Sequence, residues 1–170
     1  YEALTLIEEL AMAEEDYCGA VADIAKFFDQ IRRALVYIIA RAAGMPTGVL
    51  AAYEAYLEYL QVYNCIAGGM GTPYKRRCGI PQGCPFSMTM VALLMVPWVN
   101  YMKHLNVHPR VLADDLMFTA NGLGHQANTI RAMKESRKSF HDIGAKVADK
   151  KCFTFANDQH TRDQLGPYLW

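Results

Sequence analysis

Residues 107–120, VHPRVLADDLMFTA, decide the fold of this chain. Two short apolar runs, residues 107–113 and 116–120, predict two β-strands that join at Asp114-Asp115. Carboxylates between two apolar strands lose hydration, which costs free energy unless another group pairs with them. A bound divalent cation would provide that partner. The ordinary alternative is an Asp-Asp pair in a hairpin turn that binds nothing.

A third carboxylate lies in another apolar run. Residues 18–25 (CGAVADIA) predict a buried strand in which Asp23 is the single charge. If the two strands are neighbours, Asp23, Asp114 and Asp115 could hold two Mg²⁺ ions, because Mg²⁺ binds few carboxylates together with substrate phosphates. Two such ions about 3.5–4 Å apart activate an attacking oxygen and stabilise a leaving group. An isolated Asp near a strand end is more often a cap, so this hypothesis depends on the rest of the chain.

The remaining pattern mixes helices and strands without strict βαβ alternation, which favours an α+β fold with a small antiparallel sheet packed on helices. Helices are predicted over residues 2–14, 30–43, 47–60, 86–105 and 125–142. Asp29 and Thr47 are the expected N-caps of the second and third helices, and Gly44 is the expected stop between them. Residues 61–67 and 74–78 predict a hairpin around a glycine-rich loop, and residues 146–155 predict a closing hairpin or strand pair.

Composition limits the class of protein. The length of 170 residues favours one domain, residues 1–170, and 52% hydrophobic residues exclude a disordered chain. The 17 Lys and Arg equal the 17 Asp and Glu, so nucleic acid would have to bind at local basic patches. The 5 cysteines form no CxxC pair, which disfavours a zinc site or a disulfide framework and favours a reducing compartment.

Residues 88–99, the longest apolar stretch, are too short to span a bilayer. Without an initiator Met before Tyr1, the sequence is interpreted as a segment of a longer protein.

Four boxes follow one another in an order typical of one family. They are residues 23–29 (DIAKFFD), 79–87 (GIPQGCPFS), 112–115 (LADD) and 144–151 (GAKVADKK). These boxes resemble motifs A, B, C and D of reverse transcriptases, and the resemblance spans most of the chain. The PQG form of motif B is similar to that of non-LTR retrotransposon and group II intron enzymes. Three residues depart from the common pattern: Leu112 replaces Tyr or Phe, Phe27 a small residue, and Ala148 an Asn.

The resemblance implies a polymerase palm domain with defined site residues. Asp23 and Asp114 would be the principal metal ligands, Asp115 would assist, and the backbone carbonyl of Ile24 would add a contact. The expected ion is Mg²⁺, with Mn²⁺ as the alternative. Lys151 resembles the motif D lysine that protonates departing pyrophosphate. Lys146 and Lys150 compete for that role, and a solvated lysine is the alternative to it.

Nucleotide contacts are implied for motifs A and B. Phe28 resembles a steric gate whose ring takes the space of a ribose 2′-hydroxyl and so favours deoxynucleotides. Gln82 and Gly83 would line the pocket for the incoming nucleotide and the template base. The structural alternatives are a core Phe and a plain Gly/Pro loop before a helix.

Two basic groups are candidates for contacts with backbone phosphates, which position a strand without reading its sequence. The first group is Lys75, Arg76 and Arg77. The second group is Arg131, Lys134, Arg137 and Lys138, for which a solvated helix face is the favoured interpretation.

The implied activity is RNA-directed DNA polymerisation: transfer of deoxynucleotides from dNTP to a primer on an RNA or DNA template. No membrane partner is expected. Fingers and thumb would come from the rest of the parent chain, so the isolated segment is expected to be inactive. The protein would be intracellular, and nuclear if it belongs to a eukaryotic retrotransposon.

One rival is an RNA-dependent RNA polymerase, which usually has Gly and a polar gate where this chain has Ala113 and Phe28. The other rival is a non-catalytic, maturase-like RNA-binding palm.

Overall fold

The structure, a computed structural model, describes residues 2–168. The chain divides into two compact units, which we call the sheet unit (residues 2–25 and 95–168) and the motif B unit (residues 26–94). The elements in chain order are α1 Glu2–Met12, β1 Tyr17–Asp23, α2 Phe27–Gln30, α3 Arg33–Ala42, α4 Thr47–Tyr59, β2 Cys65–Ile66, β3 Gly69–Met70, α5 Pro85–His104, β4 His108–Leu112, β5 Asp115–Asn121, α6 His125–Ile143, β6 Phe153–Ala156 and α7 Gln159–Leu165. A 3₁₀ turn at Asp149–Lys151 precedes β6.

The sheet unit is built on one antiparallel sheet with the strand order β4-β5-β1-β6. Strand β1 pairs with β5 along its whole length, from Tyr17 opposite Asn121 to Asp23 opposite Asp115. The alanines and the cysteine of β1 are fully buried, and α6 packs on the sheet. This confirms the prediction of an α+β fold with a small antiparallel sheet on helices.

Residues 146–155 do not form the predicted hairpin. Val147 instead makes an isolated bridge to Ile24, and β6 pairs with β1. The reason is that β5 occupies one edge of β1 and leaves the other edge open. Strand β6 therefore pairs with β1, and Val147 bridges to Ile24 just beyond the end of β1, instead of the two segments pairing with each other.

The motif B unit contains α2, α3, α4, the β2–β3 hairpin and the beginning of α5. Gly44, at a φ of 83°, ends α3 as predicted. Its N–H donates to the carbonyl of Arg41, and the N–H of Met45 donates to that of Ala40, which is the Schellman arrangement. The predicted hairpin of residues 61–67 and 74–78 is wrong: these segments meet only at an isolated bridge between Val62 and Tyr74. The observed hairpin pairs Cys65–Ile66 with Gly69–Met70, because a two-residue turn at residues 67–68 reverses the chain within the predicted loop.

Two predicted N-caps are wrong. Asp29 cannot cap α3, because it lies inside α2, and two residues separate the end of α2 from the start of α3. Its side chain pairs with Arg76 instead. Thr47 is the first residue of α4, and Pro46 precedes it as the capping residue without a side-chain hydrogen bond. At both positions, the residue that precedes the helix is not the one that the local capping preference predicts.

Helix α5 matches the predicted helix, and Pro85 begins it, where a missing N–H costs nothing. Among the described residues α5 alone is long and apolar enough to cross a membrane by length and composition. The core helix of a soluble protein passes the same test. Met90, Leu94 and Trp98 follow one another at helical spacing and are buried, which is typical of a core helix.

Candidate functional site

The tip of the β4–β5 hairpin carries the acidic pair. Leu112 pairs with Asp115, so Ala113 and Asp114 form the two-residue turn. Ala113 has a φ of 56°, a left-handed conformation that tight hairpin turns require and that costs a non-glycine residue free energy. Asp114 is therefore the last residue of the turn, and Asp115 is the first of β5.

Strand β1 brings the third carboxylate to the same end of the sheet. Asp23 is the last residue of β1 and lies directly opposite Asp115, at a separation where side chains of neighbouring strands interact. One residue further, the N–H of Ile24 donates to the carbonyl of Asp114 at 3.1 Å. The structure thus brings Asp23, Asp114 and Asp115 together. Their role as metal ligands stays a prediction.

Lys151 is the lysine that meets these carboxylates. Its Nζ lies 2.9 Å from Oδ2 of Asp23. The hydrogen bond to Asp23, and then the charges of Asp23, Asp114 and Asp115, raise the pKa of Lys151. The competing candidate Lys150 instead lines a separate cavity beside Phe153. The negative charges of all three carboxylates therefore favour the protonated form of Lys151.

The donor chemistry of this cluster suits a hard divalent cation. Among residues 2–168, no three Asp, Glu, His or Cys side chains stand close enough together to hold a metal ion as they are. The carboxylate oxygens of Asp23, Asp114 and Asp115 are nevertheless the ligands that Mg²⁺ prefers. In the present geometry the ammonium of Lys151 balances the charge of Asp23, so this end of the sheet already attracts a cation.

In the motif B unit, residues 28–31, which begin at the predicted gate Phe28 and which we call the gate segment, are hydrogen-bonded to the motif B loop, residues 79–84. The carbonyl of Phe28 accepts the N–H of Ile80 at 2.8 Å, and the carbonyl of Ile31 accepts that of Gly79 at 2.8 Å. Gly79 has a φ of 82°, and a Cβ there would lie 2.8 Å from the carbonyl oxygen of Asp29. The Phe28 ring is half-buried and packs edge-on against Phe27. Only glycine allows the loop to approach so closely.

Gln82 and Gly83 lie beyond this contact, in an exposed turn. Gln82 lines two cavities, one of about 380 Å³ shared with Arg33 and Arg76, and one of about 840 Å³ against α4. Gly83 also has a positive φ, 82°, but a Cβ there would meet nothing within 4 Å. The nucleotide contacts expected of both residues stay predictions.

Arg33 is a functional candidate that the sequence analysis missed. Its Nε donates to the carbonyl of Gly79 and its guanidinium NH1 to the carbonyl of Leu57, both at 2.8 Å. The side chain is 6% exposed although it is charged. One signal was available, because Arg33 shares a helical face with the buried Val36 and Ala40.

The first basic group is partly occupied by contacts within the motif B unit. The ammonium of Lys75 lies 5.4 Å from the centre of the Tyr59 ring, and Arg76 pairs with Asp29. Arg77 is exposed. In the second group, Lys134 lies over the Tyr168 ring. Phosphate binding by either group stays a prediction.

Solved telomerase structures have a similar fold. Telomerase from Candida tropicalis in complex with a TWJ fragment of telomeric RNA matches with a TM-score of 0.71 and 13% identity, over 93% of this chain and 29% of that one. Apo telomerase from Candida tropicalis, truncated of its C-terminal domain, matches with a TM-score of 0.70 and 15% identity, over 91% of this chain and 34% of that one. Telomerase from Candida albicans, also with a TWJ fragment of telomeric RNA, matches with a TM-score of 0.61 and 14% identity, over 89% of this chain and 28% of that one. The chain spans about a third of the length of these proteins.

Sequence comparison identifies the family directly. No curated protein matches the chain. The family model described as reverse transcriptase (RNA-dependent DNA polymerase), a family of nucleotidyltransferases, matches residues 2–168. The narrower assignment to retrotransposon or intron enzymes stays a prediction. The family model covers nearly the whole chain, and the four motifs and the fold agree with it, so the chain belongs to the reverse transcriptase family.

Proposed function

We propose that this chain is the palm of an RNA-directed DNA polymerase, which adds deoxynucleotides to a primer 3′-end along an RNA or DNA template. The observation that carries the proposal is the position of Asp23 directly opposite Asp115 and hydrogen-bonded through Ile24 to Asp114, at the end of the sheet where Lys151 binds Asp23. Family membership supports the same reaction. The fingers and the thumb would come from other parts of the full-length protein.

The carboxylate cluster is the proposed reaction centre. The 3′-oxygen of the primer forms a bond to the α-phosphorus of dNTP, and pyrophosphate leaves with the electrons of the broken bond. Asp23, Asp114, Asp115 and the Ile24 carbonyl would hold Mg²⁺, or Mn²⁺ in its place. When bound, Mg²⁺ supplies charge stabilisation and lowers the pKa of the attacking hydroxyl.

Lys151 is the proposed source of the proton for the leaving group. Its ammonium already lies at the carboxylates, 2.9 Å from Asp23, on a short 3₁₀ turn whose exposed position leaves the side chain room to move. A cation there attracts the phosphates of the nucleotide by charge alone. A proton on Nζ can then pass to an oxygen of the departing pyrophosphate.

The motif B unit is proposed to select the nucleotide. Phe28 would exclude a ribose 2′-hydroxyl by contact, while Gln82 and Gly83 would line the pocket for the nucleotide and the template base. The hydrogen bond between Phe28 and Ile80 supports this, because it gives the gate residue and the motif B loop a fixed spacing.

Template and primer phosphates are proposed to contact the segment that precedes motif B. Residues 59–113 contain no Asp or Glu, and Lys75, Arg76 and Arg77 lie within them. Residues 63–78 are all exposed. A surface segment that lacks carboxylates and carries three cations suits a phosphate backbone. The Candida telomerases, which were solved with telomeric RNA, make RNA a reasonable template class for the test.

The experiment that tests the proposal is primer extension by the full-length protein with dNTP or NTP. We expect extension with dNTP, and a fall of about a thousandfold in Asp114→Asn, because metal-held charge stabilisation is worth several kcal/mol. Asp142→Asn, an exposed carboxylate on α6, is the matched control and should keep its activity. Both variants should give wild-type circular dichroism.

Three outcomes would contradict the proposal in different ways. Extension with NTP as efficient as with dNTP would make the protein an RNA polymerase. Full activity in Asp114→Asn would remove the metal role of the carboxylates. RNA binding without any extension would leave a non-catalytic palm.

A further inference from the structure

We infer that Arg33 is a positioning residue that sets nucleotide selectivity by holding the motif B loop against the gate segment. The inference rests on the proposed function and goes beyond the four motifs, none of which includes Arg33. It concerns contacts within the motif B unit alone, so it does not depend on the carboxylate cluster.

Burial is the first argument. Arg33 is the first residue of α3 and is 6% exposed, whereas Arg41 on the same helix is 64% exposed. Removing a guanidinium from water is costly unless hydrogen bonds replace the lost hydration. The carboxylate of Glu58 is 3.7 Å away and mostly exposed, so it replaces little of that hydration. The two backbone carbonyls must therefore provide the stabilisation.

The identity of those carbonyls is the second argument. One belongs to Gly79, the first residue of motif B, and the other to Leu57 near the end of α4. Arg33 therefore connects three parts of the unit: α3, α4 and the motif B loop. A planar guanidinium presents several donors in a fixed fork and can bind two separate carbonyls at once, which a lysine ammonium does less rigidly.

The position of Gly79 is the third argument. Its N–H bonds to Ile31, and the next N–H, of Ile80, bonds to the carbonyl of Phe28. Arg33 holds the carbonyl side of Gly79 while the gate segment holds its N–H side. Releasing Arg33 frees one side of this contact, and the spacing between Phe28 and the turn at Gln82 is then less well fixed.

The test compares Arg33→Met and Arg33→Lys with Arg41→Met in the full-length protein. Arg33→Met removes both hydrogen bonds, of which only the one to Gly79 holds the loop. We expect the KM for dNTP to rise about tenfold, the size expected for losing that one hydrogen bond from a charged group. Discrimination against NTP should fall, while the KM for primer–template stays unchanged. Arg33→Lys should recover part of the loss, and Arg41→Met should match the wild type.

Amide hydrogen exchange gives a readout that does not need catalysis. We expect faster exchange at Gly79 and Ile80 in both Arg33 variants, and wild-type rates in Arg41→Met. If the wild type extends no primer, the proposed function fails, and exchange alone decides whether Arg33 holds the loop.

Other outcomes would overturn the inference. Wild-type exchange at Gly79 and Ile80 in Arg33→Met would show that Arg33 does not hold the loop. Equal rises in the KM for dNTP and for primer–template, with faster exchange throughout residues 26–94, would leave Arg33 a purely structural role. If Arg33→Met does not fold, the same criteria apply to Arg33→Lys.

Discussion

The sheet unit and the motif B unit position their candidate residues by different means. In the sheet unit, Asp23 and Asp115 face each other at the end of a seven-pair antiparallel ladder, so the backbone itself sets their spacing. In the motif B unit, the motif B loop is held outside any strand by one backbone hydrogen bond from Gly79, one from Ile80, and the side chain of Arg33, which binds the Gly79 carbonyl.

This difference has an energetic consequence. A ladder spreads its hydrogen bonds over many residues, and losing one bond leaves the register intact. The loop contact depends on a few groups, so one substitution can break it. We therefore expect a single substitution in the motif B unit to disturb the candidate residues of that unit strongly. An equally conservative substitution in the sheet unit, away from the β1–β5 ladder, should leave the carboxylates in place. Three predictions test that expectation.

Gly79→Ala should have the largest effect. Its Cβ would lie 2.8 Å from the carbonyl of Asp29 and 2.9 Å from that of Phe28, at a φ of 82°. We expect a loss of about 3 kcal/mol in the free energy of unfolding, measured by urea denaturation. Gly83→Ala is the matched control, because it has the same φ but open space, and it should cost about 1 kcal/mol. Equal losses would mean that the close approach contributes little.

Phe28→Val should have an intermediate effect, on selectivity. Removing the ring opens space for a 2′-hydroxyl, and we expect the preference for dNTP over NTP, as the ratio of kcat/KM values, to fall about tenfold or more. Phe27→Val is the control, because the neighbouring ring is buried and packs edge-on against Phe28. It should lower stability and leave discrimination unchanged. Unchanged discrimination in Phe28→Val would remove the gate assignment.

The features predicted from sequence are those that a local pattern specifies. Apolar runs around Asp114 and before Asp23 were sufficient to predict both strands, whereas the pairing of those strands was only a condition of the metal-site hypothesis. Gly44 as a helix stop follows from backbone chemistry that depends on one residue.

The features that were missed depend on partners far away in sequence. Arg33 is buried because of carbonyls 46 and 24 residues further along the chain, which no local pattern reveals. Asp29 resembled a helix cap, but it bonds with Arg76, 47 residues away. The error at residues 146–155 has the same origin, since the open edge of β1 is a property of the assembled sheet.

Asp158 should have the smallest effect, and it lies in the sheet unit. It caps α7 by accepting the N–H of Thr161 at 2.8 Å, and the hydrogen bonds from Thr161 lower its pKa. Because the folded-state pKa lies below the unfolded value of 3.8, the stabilisation is present above the unfolded pKa and is lost as pH falls through the folded pKa. Asp158→Asn keeps a capping oxygen but cannot titrate.

The wild type should therefore lose its advantage over Asp158→Asn only in acid, as measured by urea denaturation at several pH values. Asp163→Asn, an equal change of charge later in the same helix, leaves the Asp158 cap in place and is the control for the loss of one negative charge. Primer extension near neutral pH should stay at the wild-type rate in both variants, because α7 packs through Leu165 against the Cys18 and Ala156 side of the sheet, whereas Asp23 ends β1 several pairs away. A loss of activity in Asp158→Asn would mean that the ladder passes disturbances along its length, and the contrast between the two units would no longer hold.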